Sequence, residues 1–154
     1  TQILEYFEHL SPEPALWPAD PRARAAARLL EHRADEVYFP HVIALMGLQA
    51  TPEDPAAVAA RAAASAFYGE MEALLADREF LAGTLSYADI GFFMASLFGE
   101  RMGAVMGRET PRLLAWRQAM ASRPTVRQVA GAMMDYLASI GRPIPEFMTA
   151  TVAG

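Results

Sequence analysis

Phe80-Leu-Ala-Gly-Thr-Leu-Ser-Tyr-Ala-Asp-Ile90 is the stretch that decides the fold. Ser86 is placed to be the N-cap of a helix, its hydroxyl accepting the Asp89 amide. Asp89, three residues on, can reach back to the Ser86 amide, which is the reciprocal capping box. Leu85 before the cap and Ile90 inside the helix have the spacing of a hydrophobic staple. The helix this predicts runs from Tyr87 to about Arg101 and carries Ile90, Phe92, Phe93, Met94, Leu97 and Phe98. A helix apolar on nearly every side is a buried one. Its free N–H groups must then find partners inside the protein, so Ser86 and Asp89 read as structural residues.

Prolines and helix-start residues punctuate the chain outward from there. Gln2 to Leu10 sets Ile3, Tyr6, Phe7 and Leu10 on one helical face. Ser11 to Ala19 is a stiff, proline-rich connector, with Leu16 and Trp17 expected to pin it down. Asp20-Pro21 starts a helix running to about Leu48, with a kink expected near Glu36–Phe39 because Pro40 lies inside it. Pro55 opens a helix to about Asp77. Tyr68, Glu70 and Glu72 on it read as a solvated face or a dimer rim. Gly103 and Gly107 are expected to loosen the next connection. Thr110-Pro111 starts a helix to about Ser122, and Pro124 another to about Ile140. The tail from Gly141 to Gly154 has no period and is expected to be irregular. No run shows strand alternation. The fold class is all-α: a bundle of about five helices preceded by one extra N-terminal helix.

Composition narrows the function. The 154 residues are 53% hydrophobic and 20% charged, the signature of a globular chain. Net charge is −5, which argues against nucleic acid or an anionic membrane as partner. With no cysteine, disulfides, zinc–thiolate sites and thiol catalysis from this chain are excluded. The three histidines show no helical pairing, so no metal site is expected. With no signal peptide or membrane-length apolar run, the expected compartment is the cytoplasm.

The F-L-A-G of residues 80–83, followed by S-Y-A-D-I of residues 86–90, resembles the F-L-x-G, S/T-x-A-D-I that opens the central helix of the C-terminal helical domain in cytosolic glutathione S-transferases. Ile3-Leu-Glu-Tyr-Phe7 resembles the last helix of that family's thioredoxin-like domain. Residues 111–126, with Pro111, Leu113, Trp116, Arg123, Pro124 and Val126, resemble its late P-x-L-x-x-W…R-P-x-V segment. The resemblance implies four parts. Residues 1–10 would end an otherwise missing thioredoxin-like domain, 11–19 would be the linker, 20–140 the substrate-binding domain and 141–154 the tail. It implies glutathione as co-substrate, held mainly by the other domain, a small apolar electrophile as substrate, and a homodimer. The chain is expected to be a fragment, inactive alone, of a bacterial-type enzyme. The alternative is a non-catalytic interaction or dimerisation module of the same fold.

The only dense polar and aromatic cluster is residues 31–41. On a straight helix Asp35, Tyr38 or Phe39, Val42 and Met46 share one stripe. The resemblance implies that such a stripe lines the electrophile pocket, which makes Asp35, Tyr38, Phe39, Val42 and Met46 the candidate substrate-binding residues. The competing reading is a face packed on another domain. His41 stands beside an apolar face, a place more often structural than catalytic, and no catalytic residue is assigned.

Overall fold

Among the described residues, four helices begin with proline at the first helical position, where a missing N–H costs nothing. The computed structural model describes residues 2–148. They form α1 (Gln2–Leu10), α2 (Pro21–Arg33), a π-helical segment (Ala34–Tyr38), α3 (Phe39–Gly47), α4 (Pro55–Leu74), α5 (Tyr87–Met102), α6 (Pro111–Ser122) and α7 (Pro124–Ser139). No strand occurs among the described residues. Asp20 and Asp54 cap α2 and α4 by accepting the Ala23 and Ala56 amides, each at 2.8 Å.

The expected kink takes the form of the π segment. Pro40 has no N–H, and in an α-helix its ring would press on the Glu36 carbonyl. The wider turn relieves that pressure, and the Phe39 amide bonds the Ala34 carbonyl, five residues back.

Helix α5 lies at the centre, against α2, the π segment, α3 and α6. The capping box at its start is present. Asp89 is fully buried and accepts the Ser86 amide at 3.0 Å, the Ser86 hydroxyl at 3.2 Å, the Leu81 amide at 2.9 Å and the Trp116 indole N–H at 3.0 Å. Burial raises the Asp89 pKa, and these donors pull it back. At its other end, α5 stops at Gly103, whose φ of 93° suits a residue without Cβ. The Ala104 amide closes the end on the Gly99 carbonyl at 2.9 Å. Gly103 therefore terminates the helix instead of loosening the connection.

Tyr68 and Glu72 correct the reading of α4 as carrying a solvated face. Tyr68 is core, because its hydroxyl finds the Ala104 carbonyl at 2.6 Å. Glu72 accepts the Arg112 and Leu113 amides at 3.2 and 2.7 Å, supplying the start of α6 with the acceptor that Thr110 does not. Glu70 stays exposed and pairs with Arg33.

Trp17 pins the connector as expected: it is buried, with its ring tilted at 54° against Tyr87 and ring centroids 4.8 Å apart. Glu8 on α1 accepts the Leu16 and Trp17 amides, both at 3.0 Å, and ties the connector to that helix. Residues 142–145 of the tail are irregular, but 146–148 turn into helix and sink Met148 into the core. The Phe147 ring lies 4.1 Å from the Arg117 guanidinium. The rest of the expected irregular tail, 149–154, lies outside the described residues.

Candidate functional site

Between the π segment and α5 lies an open groove of about 310 Å³. One wall is Glu31, Ala34, Asp35 and Phe39; the other is Gly91, Met94, Ala95 and Phe98. The second wall is a single helical stripe, with steps of three and four residues. Two small residues on it leave the space, and Met94 and Phe98 bound it. The Phe39 and Phe98 rings meet at 5.9 Å, and the Arg101 guanidinium covers Phe98 at 5.5 Å.

The structure separates the five residues of the expected stripe. Asp35 is exposed on the groove wall, and Phe39 is half-buried in it. Tyr38 and Val42 are fully buried and line no groove. They face the core with Leu45, because Tyr38 finds a buried hydroxyl partner there and Val42 follows one turn later. Met46 is half exposed and stands outside the groove lining, as does the half-buried His41. The wall on α5 was not singled out from sequence. Its signal was Gly91 and Ala95 one turn apart, small positions flanked on the same helix by Phe92, Phe93, Met94 and Phe98.

Behind the groove, the Tyr38 and Tyr68 hydroxyls are 2.6 Å apart. Tyr68 donates to Ala104, so Tyr38 donates to Tyr68. Burial pushes both phenols above the ordinary tyrosine range. The Tyr38 ring packs at 5.4 Å on Phe67 and on Phe92. Phe92 stacks on Trp116 at 5.5 Å, and Trp116 bonds Asp89. One aromatic column therefore joins the cap of α5 to the π segment.

A second cavity, of about 460 Å³, lies on the other side of Met94. It is lined by Pro14 and Leu16 of the connector, by Leu85, Ile90 and Phe93, and by Met120, Arg123, Val126 and Val129 among others. Among the described residues no group of three or more His, Cys, Asp or Glu could hold a metal ion. No helix among them is long and apolar enough to cross a membrane.

The groove does not suit glutathione itself. Among the described residues its ionisable lining residues are Glu31 and Asp35, both acidic, which disfavours a tripeptide with two carboxylates. It suits an apolar molecule, in a volume at the lower end of small-molecule pockets.

The family model of the glutathione S-transferase C-terminal domain matches residues 29–124. That span is more than half of the 154 residues, and the chain belongs to this family. Among solved structures it is similar to a glutathione S-transferase from Rhodospirillum rubrum F11, with 28% identity and a TM-score of 0.72 over 81% of this chain and 60% of that one. FzlA from C. crescentus gives 27% identity and a TM-score of 0.73 over 82% and 61%. A glutathione S-transferase domain-containing protein from Marinobacter aquaeolei VT8 gives 26% and 0.69 over 79% and 64%. The chain thus spans about three-fifths of the length of the solved structures it matches. No curated protein matches it in sequence.

Proposed function

We propose that this chain is the electrophile-binding half of a bacterial-type glutathione S-transferase that works in the cytoplasm as a homodimer. The observation that carries the reading is the groove between the π segment and α5, walled by Phe39, Met94 and Phe98. Glutathione would supply the sulfur from a thioredoxin-like domain. This chain's part is to hold a small apolar electrophile beside it, where proximity and orientation lower the barrier.

Two surfaces support the assembly. Ile3, Tyr6, Phe7 and Leu10 expose an apolar face on α1, suited to a thioredoxin-like domain of which α1 is the last helix, with residues 11–19 as linker. Val37, Ile43 and Met46 are exposed apolar residues on the π segment and α3, suited to a two-fold contact. Met46 fits that face better than a pocket.

In the intact enzyme, Phe39→Ala should reorder kcat/KM across a panel of electrophiles while leaving the KM for glutathione nearly unchanged. An unchanged ranking would remove the substrate assignment. The 154-residue chain alone should give no heat of specific glutathione binding in calorimetry, and a tight, saturable isotherm would contradict the division of labour.

The alternative, a non-catalytic interaction module, draws on the acidic wall. Glu31 and Asp35 place negative charge where conjugation brings a thiolate. Conjugating activity in the intact protein decides between the two.

A further inference from the structure

Phe39 shares one helical turn with Tyr38 and Pro40, so whatever fixes the register of that turn also aims the Phe39 ring. On an α-helix each step of four residues drifts about 40° around the axis, and two such steps, Glu31 to Asp35 to Phe39, drift about 80°. A π turn holds about one residue more than an α turn and takes that drift back. Glu31, Asp35 and Phe39 accordingly line the same groove.

Two features hold the wide turn in place. Pro40 removes the donor and opposes the tighter turn. The Tyr38 hydroxyl is fixed from the far side, through Tyr68 at 2.6 Å and the Ala104 carbonyl at 2.6 Å beyond it. Gly99 gives the hydroxyl room, since a Cβ there would overlap the Tyr38 oxygen. Tyr38 is fully buried and does not line the groove, yet it is the chain neighbour of Phe39, which does.

We propose that Tyr38 is a positioning residue for the groove: its hydroxyl, anchored through Tyr68 on the Ala104 carbonyl, locks the π turn that aims Phe39 at the bound electrophile. This rests on the reading of the groove as the electrophile site.

The test is a titration of the 154-residue chain with nitrobenzene, followed by amide resonances. Gly91 and Ala95 report the groove; Val126 and Val129 report the second cavity. Each Kd is read from the folded state's own signals, so lost stability alone does not move it. Phe39→Ala should weaken binding at Gly91 and Ala95 about tenfold through lost apolar contact. Tyr38→Phe should weaken it about fivefold, within the free energy of the hydrogen bond removed. Tyr68→Phe breaks the same relay and should give a similar loss, and the double variant should lose no more than either alone. The response at Val126 and Val129 should not change. If Phe39→Ala weakens groove binding and neither tyrosine variant does, this inference is wrong and the groove reading stands. If nitrobenzene leaves Gly91 and Ala95 unmoved, or Phe39→Ala does not change their Kd, the groove reading itself fails.

Discussion

The start of α5 and the π segment both bury polar side chains in the same core, but they are assembled from opposite distances along the chain. At the start of α5, Asp89 is satisfied by residues three and eight positions away, with Trp116 as one distant partner. At the π segment, Tyr38 is satisfied by Tyr68, 30 residues away, and Tyr68 by Ala104, 36 residues further on. Most of the first network forms with the local chain, from Leu81 and Ser86, and the Trp116 indole completes it once α6 has packed. The second exists only after α4 and α5 have packed. A local network specifies where an element starts, whereas a long-range one specifies which way an element faces.

The largest effect should come from the local network. Asp89→Ala leaves two amides, a hydroxyl and an indole N–H without their buried acceptor. With each buried orphan costing about 1–3 kcal/mol, the loss should be roughly 3 kcal/mol or more. The urea midpoint is the measurement, and a loss of 1 kcal/mol or less would mean that water or a repacked neighbour replaces the carboxylate.

Gly99→Ala should come next. The added methyl meets the end of a rigid ring that Tyr68 holds in place, and overpacking of this kind costs about 1–3 kcal/mol. Adding Tyr38→Phe removes the obstructing oxygen, so the double variant should lose less than the sum of the singles. Strict additivity would show that Gly99 and Tyr38 do not meet.

A smaller effect separates the two networks by pH. Burial raises the Tyr38 and Tyr68 phenols, chiefly by denying water to the charged form. Ordinary tyrosines ionise near 10. The stability these two groups carry is therefore fully present below about pH 10 and is lost as pH rises through their folded-state values, because the unfolded chain releases protons that the folded one keeps. Absorbance titration should show Tyr38 and Tyr68 ionising only together with unfolding. Tyr38→Phe should flatten the alkaline fall in stability.

The smallest effect belongs to Asp35→Asn. Asp35 is exposed on the groove wall, so stability should change by no more than about 0.5 kcal/mol. Any larger change in the thermal midpoint would make Asp35 a structural residue and weaken the groove assignment.

The cap at Ser86 and Asp89, the proline-led helix starts and the apolar centre of α5 were readable because each depends on neighbours within a turn or two. The kink at Pro40 was readable too, but its form was not, since a wide turn and a bend answer the same missing donor. The stripe through Asp35, Phe39, Val42 and Met46 assumed one helical period across that turn, and the structure keeps only Asp35 and Phe39 in the groove. Tyr68 looked like a surface tyrosine because its acceptor, the Ala104 carbonyl, lies in another part of the chain. Glu72 read as part of a solvated face or dimer rim for the same reason, since the amides it accepts belong to residues 112 and 113.

The sequence by itself determined the all-α class, the order of the helices and the burial of α5, because caps, prolines and apolar periodicity act within a single element. Only the tertiary structure decided which of Tyr38 and Phe39 goes to the core and which to the groove. That choice turns on a hydroxyl meeting its partner across three packed elements, and no local pattern encodes such a meeting.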